Sequence, residues 1–520
     1  MFDHTCVGRD GETINEMSQL TCFIWRNGAR KNVDRSIKWA YNVFMIGRIN
    51  EIKELNRLYD SKKAELVAIY GRRRVGKTFL VDEVFEGRIT FRHAGLSPVE
   101  TKKGALAMQL KSFYNSLLDH GMKKSRIPGS WLDAFFMLEQ FLKEKDTGER
   151  QLVFLDELPW LDTPRSGFIT AFESFWNNWA CHRKNLMVVV CGSANSWILD
   201  NLINSRGGLY NRVTYEIKLS PFTLAECEEF FESQEIKITR YDIVQSYMII
   251  GGIPYYMGYF EKEKSLAQNI DDLFFAKDSK LKDEYDRLFT SAFSKPELIK
   301  SIVEFLSKRN AGYTRDDILQ GLKLADGGSL SKHLNALIAS DFIVKYQPFG
   351  MSKKCEYYRV TDPFCLFYIH FRNKINGADE TFWQKGLSSG QIVSWRGFAF
   401  EKVCFNHVKQ IKRALEVGGV LSTESAWSIK DDDQEGTQID LLISRKDNVL
   451  NMCEIKYLGD DFAVDKDYYR TILRRQEILT KKVSPKVAIH STLVTTFGLK
   501  NNEYSSVFTN VVTMNDLFEK

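Results

Sequence analysis

The run Gly71-Arg72-Arg73-Arg74-Val75-Gly76-Lys77-Thr78 sets two glycines five residues apart and follows the second with lysine and threonine, Phe79 continuing it. That spacing suits a phosphate cradle. The glycines let backbone N–H groups wrap the phosphates of ATP, Lys77 reaches the β and γ oxygens, and Thr78 offers a hydroxyl to Mg²⁺. The matching acids are in Leu152-Val-Phe-Leu-Asp156-Glu157. Asp156 suits a Mg²⁺ ion held through water and Glu157 the polarising of an attacking water, so hydrolysis depends on Glu157. Ser193, just past the apolar run Val188–Cys191, is in position to contact the γ-phosphate or the water. Arg212, in Gly-Leu-Tyr-Asn-Arg, suits neutralisation of transition-state charge, in cis or from a neighbouring subunit, and Arg206 is a second candidate. Ordinary surface arginines fit the same description.

A second group of chemistry-bearing residues lies near the C-terminus. Asp440 sits in Thr-Gln-Ile-Asp-Leu-Leu-Ile, and Glu454-Ile455-Lys456 ends the next apolar run, after a turn at Lys446–Asn448. If the two runs pair as a hairpin, both acids reach one pole of a sheet, and Glu454 and Lys456 point to the same face. Two hard oxygen ligands suit Mg²⁺ or Mn²⁺, which would activate water while Lys456 orients it or steadies the developing charge. Glu401, in Arg-Gly-Phe-Ala-Phe-Glu-Lys, would add a third carboxylate. The same residues equally suit a fold that has stopped cutting and serves dimerisation or DNA docking, its acids merely solvated.

These residues need elements to hold them. Between Ala64 and about Phe222, strand-like runs (Glu65–Tyr70, Ile89–His93, Gln151–Leu155, Leu186–Cys191, Thr214–Leu219) alternate with helical patterns (Thr78–Phe85, Gly104–Leu118, Trp131–Glu144, Phe168–Cys181). Such alternation means a parallel sheet covered on both faces, with ligands at the strands' C-terminal ends. An amphipathic helix with Ile49, Ile52, Leu55 and Leu58 on one face precedes it, and residues 223–290 read as all-helical around the break Gly251-Gly252-Ile253-Pro254. Next come three helical stripes: Leu298, Ile302, Phe305 and Leu306; Ile318 and Leu322; Leu330, Leu334, Leu337 and Ile338. Two β-rich runs, Phe342–Gln347 and Glu356–Val360, complete a winged helix-turn-helix. Its third helix would expose Ser329, Ser331, Lys332, His333 and Asn335, and its wing Lys353 and Lys354, side chains that suit DNA contact; an internal structural role fits as well. A last α/β unit has a helix near Gly397–Ile411, strands Gln438–Ser444 and Val449–Lys456, and an apolar run at Val483–Ser491.

The order of Ile-Gly-Arg (46–48), the P-loop, Leu-Asp-Glu-Leu-Pro-Trp, Cys-Gly-Ser, Gly-Leu-Tyr-Asn-Arg and Gly-Gly-Ile-Pro-Tyr-Tyr resembles the archaeal-type ATPases, relatives of the AAA and signal-transducing NTPases. The resemblance runs from about residue 45 to the C-terminus and implies an α/β multidomain chain. Its parts would be a P-loop parallel-sheet ATPase core (45–222), a helical lid (223–290), a winged helix (291–378) and a restriction-endonuclease-like domain (379–520). It further implies that Gly252 and Pro254 pack near the nucleotide base. The Asp440…Glu454-x-Lys456 pattern is similar to the PD-(D/E)xK nucleases, although Ile439 stands where the proline would be. Residues 1–44 lie outside the resemblance and read as an appendage, or Met45 as the natural start.

The 520 residues, 44% hydrophobic and 27% charged, suffice for about three or four folded units and exclude wholesale disorder. A net charge of +5 over this length identifies no nucleic-acid partner, so DNA contact has to come from a local patch. Nine scattered cysteines without a CxxC pair argue against a disulfide scaffold or zinc site, and no apolar run approaches a membrane span. The expectation is a soluble, cytoplasmic protein that binds ATP and Mg²⁺, acts on DNA, and works alone or with further copies of itself. The rival is a regulatory switch or scaffold, and a helicase would need a ring. The eight histidines lack metal spacing, the run Asp431–Asp433 with Glu435 reads as a solvated loop, and Trp25, Trp176 and Trp427 read as packing residues.

Overall fold

In the computed structural model, residues 45–97, 105–204, 207–293, 295–350, 355–429 and 437–520 are described. The expectations for residues 1–44, Arg206, Lys353, Lys354, the Asp431–Asp433 run with Glu435, and Trp25 lie outside the described residues.

The strands β1 (Glu65–Tyr70), β2 (Phe91–Ala94), β3 (Gln151–Asp156), β4 (Leu186–Gly192) and β5 (Tyr215–Lys218) form a parallel sheet in the order β2-β3-β4-β1-β5. Every residue of β1, β3 and β4 is buried, as a sheet covered on both faces demands. Alternate side chains serve opposite faces. Val67, Ile69, Val189 and Cys191 enter one core, and Leu66, Ala68, Val188 and Val190 the other. Fully burying each such Val, Leu or Ile contributes about 1.5–3 kcal/mol, which fixes the register. That order sets the P-loop, leaving β1, beside the tips of β4 and then β3.

Five helices between Leu224 and Ala292 follow, including the short Pro254–Met257. Helices Pro296–Ser307, Arg315–Gly321 and Gly328–Ala339 then surround a three-stranded antiparallel sheet, β6 (Tyr313–Thr314), β8 (Tyr357–Val360) and β7 (Ile343–Tyr346). The first of these helices buries Ile299, Ile302, Val303 and Leu306, while Leu298 and Phe305 are only half-buried, so its inner face is turned relative to the stripe expected. The two-residue β6 has no hydrophobic period of its own to announce it.

The last unit is a mixed sheet of β9 (Ser422–Ile429), β10 (Thr437–Arg445), β11 (Val449–Lys456), β12 (Ala488–Thr495) and β13 (Asn510–Thr513), in the order β13-β12-β11-β10-β9. The helix Lys466–Thr480 links β11 to β12 as a crossover between parallel strands. The strand after it starts at Ala488, several residues later than the apolar run at Val483 suggested, because Val483 and Val487 close the loop.

Residues Met45–Lys520 form one compact unit, and one core runs from Leu55 on the first helix to Phe518 near the C-terminus. Among the described residues no helix is long and apolar enough to cross a membrane, and Cys181, Cys191, Cys227, Cys365, Cys404 and Cys453 are free thiols.

Candidate functional site

The P-loop connects β1 to the helix Lys77–Val84. Gly71 has φ +150°, and a Cβ there would stand 2.1 Å from Leu219 O, so only glycine lets the chain leave β1 at this point. Gly76, at φ +91°, caps the helix, and a Cβ there would meet nothing within 4 Å: it would stand in the open cradle. Lys77 is 6% exposed. Its Nζ donates to Gly71 O and Arg72 O, both at 3.0 Å, and burial pulls its pKa down despite the nearby Glu157. A buried ammonium resting on backbone carbonyls at a helix N-terminus suits a phosphate. Thr78 Oγ1 donates to Asp156 Oδ2 at 2.9 Å, which joins the two expected Mg²⁺ partners. These residues fit ATP and Mg²⁺.

Glu157, next to Asp156, has a left-handed backbone (φ 44°, ψ 47°), a conformation that costs about 1–3 kcal/mol and collects at functional sites. Its Oε2 accepts from Ser193 N–H at 3.0 Å and from Ser193 Oγ at 3.1 Å. Burial raises its pKa, opposed by Lys77. The structure thus brings Lys77, Thr78, Asp156, Glu157 and Ser193 to one edge of the sheet. Phe79 is 47% exposed, and Val75 is buried.

The arginines of the loop face elsewhere. Arg72 runs into the interior, where Nε lies 2.6 Å from Asp362 Oδ2 and the guanidinium packs against Tyr256, Phe342 and Phe364. Burial opposes its charge, but Asp362 more than restores it and raises the pKa. Arg74 pairs with Glu284 at 2.9 Å and covers the Tyr255 ring. Arg72 and Arg74 can therefore serve a nucleotide with their backbone N–H groups, not with their side chains; no ion pair ties down Arg73 among the described residues. Arg212 is exposed and makes no side-chain hydrogen bond or ion pair among the described residues.

Gly252, at φ +63°, touches Phe222 O and Tyr247, and its carbonyl accepts from Phe222 N–H at 2.8 Å. Pro254 starts the short helix Pro254–Met257. Gly252 is linked in this way to Phe222, over whose ring Arg48 lies; Arg48 Nη2 donates to Ser220 O at 2.7 Å and to Val75 O at 3.5 Å. Arg48 was not expected here, although its segment carries the resemblance. Nor was Asn195, whose Oδ1 accepts from Gly71 N–H at 2.9 Å while its Nδ2 donates to Ala339 O at 3.0 Å. Nothing in the sequence flags that bridge.

In the last sheet, Leu441 pairs with Cys453, so Asp440 falls opposite Glu454, and Ile455 N–H donates to Asp440 Oδ2 at 3.3 Å. A register shift between Ile439 and Leu442 marks Asp440 as an irregular point of β10. Burial and then the charge of Glu454 push the Asp440 carboxyl up to about 6. Burial and then Asp440 push Glu401 up to about 7. Glu401 accepts from Asn310 Nδ2. Glu454 is 1% exposed, and both its oxygens are engaged, by Arg475 and, at 2.9 Å, by Tyr468. Lys456 Nζ lies over the Tyr468 ring at 5.0 Å. Among the described residues no group of three His, Cys, Asp or Glu side chains is gathered to hold a metal ion, so Glu401 does not complete a three-carboxylate centre. Asp440 beside Glu454 remains a two-oxygen donor set whose mutual repulsion a divalent cation would relieve, with Arg475 supplying part of that charge. Tyr468 and Arg475 are seven residues apart on one face of a helix that the sequence reading did not pick out.

Residues 45–260 match the family described as an ATPase domain predominantly from Archaea. An uncharacterised protein of Methanocaldococcus jannaschii is 26% identical over 444 residues, covering 84% of this chain and 92% of its own length. An uncharacterised ATP-binding protein of the same organism is 41% identical over 46 residues, 9% of this chain and 78% of that protein. Among solved structures, a Walker-type ATPase of Pyrococcus abyssi aligns at 17% identity with a TM-score of 0.42, covering 62% of this chain and 96% of that one. With its P-loop, parallel sheet and paired acids inside the matched segment, the chain carries, over residues 45–260, an ATPase domain of the archaeal type.

Proposed function

We propose that this chain binds and hydrolyses ATP at the P-loop and acts on DNA, docking through a winged helix and cutting at a metal-dependent, nuclease-like centre. The observation that supports hydrolysis is Glu157, a buried acid on a left-handed backbone beside Asp156, oriented by two hydrogen bonds from Ser193. Lys77 and the loop N–H groups hold the β and γ phosphates. Thr78 and Asp156 would hold Mg²⁺, which when bound would supply positive charge to the phosphates. Glu157 aligns a water for attack, and Ser193 keeps Glu157 aimed. Arg212, exposed, is free to meet the nucleotide of a second copy. In Glu157→Gln, ATP affinity should stay within about threefold while turnover falls on the order of 100-fold or more, whereas Lys77→Ala should lose ATP binding itself. Normal turnover in a folded Glu157→Gln would move the water-positioning role elsewhere.

On this reading the units are an ATPase core (45–222), a helical lid (223–290), a winged helix (291–378) and a nuclease-like domain (379–520). DNA contact is supported by the helix Gly328–Ala339, which exposes Ser329, Ser331, Lys332 and Asn335 opposite buried Leu330, Leu334 and Leu337. In cutting, Asp440 and Glu454 would hold Mg²⁺ or Mn²⁺, which would supply an activated water, and Lys456 would steady the phosphate charge. A second reading, a switch whose C-terminal unit cuts nothing, is favoured by Arg475 and Tyr468 occupying both oxygens of Glu454. Plasmid incubated with Mg²⁺ or Mn²⁺, with and without ATP, separates the two. Cleavage lost in Glu454→Ala supports cutting, and intact plasmid under every condition, with ATP turnover present, supports the switch.

A further inference from the structure

Two buried cations beside Asp440 have no part in the chemistry above. Arg359, on β8, is 5% exposed, its guanidinium stacked 3.6 Å from the centroid of the Phe405 ring and 4.7 Å from that of Tyr346. Its Nε has no hydrogen-bond partner, and it makes no ion pair among the described residues. Aromatic faces attract a cation but do not accept a fork of N–H groups as oxygens do, and a buried donor without an acceptor is costly. Lys402, also 5% exposed, donates among the described residues only to Asn310 O, at 3.3 Å. Both cations line one cleft with Asn310, Tyr357, Glu401 and Asp440, whose cavity volume is about 40 Å³. The chain's own acids in that cleft stay beyond ion-pair distance of the guanidinium.

We propose that Arg359 and Lys402 form a phosphate-binding subsite for a nucleic-acid strand in the cleft between the β7–β8 hairpin and the helix Gly390–Asn406. The missing partner is an oxyanion. The planar fork of Arg359 matches two phosphate oxygens, the ammonium of Lys402 adds a point charge, and Tyr346 and Tyr357 give a neighbouring base aromatic surface. The cleft is composite: Arg359 and Asn310 come from the winged-helix segment, and Lys402 with Asp440 from the C-terminal unit. The inference rests on the proposal that Asp440 and Glu454 serve a nucleic-acid strand, and it makes the hairpin part of that centre.

The test uses the full chain with Ca²⁺ and saturating ADP, so that the P-loop is filled. Binding of a fluorescent single-stranded DNA is compared with that of the same strand carrying a neutral methylphosphonate backbone. Arg359→Met and Lys402→Met should each weaken the phosphodiester strand roughly 10- to 100-fold. Arg359→Lys should recover part of the loss, and the neutral strand should not respond to any of them. ATP turnover and melting temperature report folding. Strands with a 5′-phosphate or a 5′-hydroxyl tell a terminal phosphate from an internal phosphodiester, either of which satisfies the subsite. Unchanged affinity in a folded Arg359→Met would overturn the proposal. Should the Met variants not fold, displacement of the strand by inorganic phosphate from the wild type, beyond a chloride control of matched ionic strength, supports it, and equal displacement by chloride overturns it. The cutting proposal fails separately. Strand affinity lost in Arg359→Met with plasmid never cut leaves the subsite standing, whereas plasmid cut by Arg359→Met at wild-type KM removes the subsite and keeps the cutting.

Discussion

Glu401 and Asp440 are carboxyls that the fold holds away from water and near a further acid, Asp440 beside Glu401 and Glu454 beside Asp440. Burial, and after it the charge of Asp440, raises Glu401 from 4.5 to about 7, while burial and the charge of Glu454 raise Asp440 from 3.8 to about 6. The folded state therefore binds these protons more tightly than the unfolded chain does. Between the ordinary and the raised values the unfolded state carries fewer protons, so stability falls as pH rises through that window. The slope is at most about 1.4 kcal/mol per pH unit for each group. Urea unfolding in EDTA at a series of pH values should show the decline, flattened in Glu401→Gln. A profile identical in the two proteins would mean that Glu401 is not the group responsible. The same repulsion gives a cation a reason to bind there, whichever reading of the C-terminal unit holds.

Among the elements, the joint between the P-loop and the helix Pro363–Ile375 has the most at stake. Asp362 caps that helix, accepting from Cys365 N–H at 2.8 Å through Oδ1, while Oδ2 faces Arg72 at 2.6 Å. Both side chains of the pair are almost fully buried. Removing one charge from such a pair strands the other, at a cost of about 3–5 kcal/mol, whereas an apolar pair of similar volume can be neutral. Asp362→Asn keeps the cap and loses only the charge, so it should show most of that cost in urea melts, and Arg72→Met with Asp362→Leu should recover much of it. A loss below about 1 kcal/mol in Asp362→Asn would show that the pair is not the strong joint its burial implies. The three consecutive arginines show how local pattern misleads: a basic loop beside a phosphate site invites side-chain contact with phosphate, yet two of the three are directed to acids of distant elements.

Over the whole molecule, one core from Leu55 to Phe518 and two links from the P-loop, Asn195 to Ala339 and Arg72 to Asp362, make the nucleotide site part of the same packed body as the segment expected to meet DNA. A ligand present at 100 times its Kd stabilises a folded state by about 2.7 kcal/mol, and the links carry that gain beyond the site. With ATP and Mg²⁺ bound, hydrogen exchange should slow in the helices Gly328–Ala339 and Pro363–Ile375 as well as around Lys77. Protection confined to residues 45–222 would show that the two links do not couple nucleotide to the helices Gly328–Ala339 and Pro363–Ile375.

The sequence by itself determined the phosphate cradle, the parallel sheet and the acids at the tip of β3, because each rests on local rules: glycine at left-handed positions, apolar runs of strand length, helical period between them. It also set Asp440 and Glu454 across one hairpin, since a short turn between two apolar runs leaves little freedom. The partners of those groups were decided by tertiary structure alone. Asn195 on Gly71, Asp362 on Arg72, Arg475 on Glu454 and Asn310 on Glu401 join residues 21 to 290 positions apart. No periodicity reports such distances. A buried charge takes whichever opposite group the packing of the whole chain delivers, and that packing is a property of the core rather than of any segment.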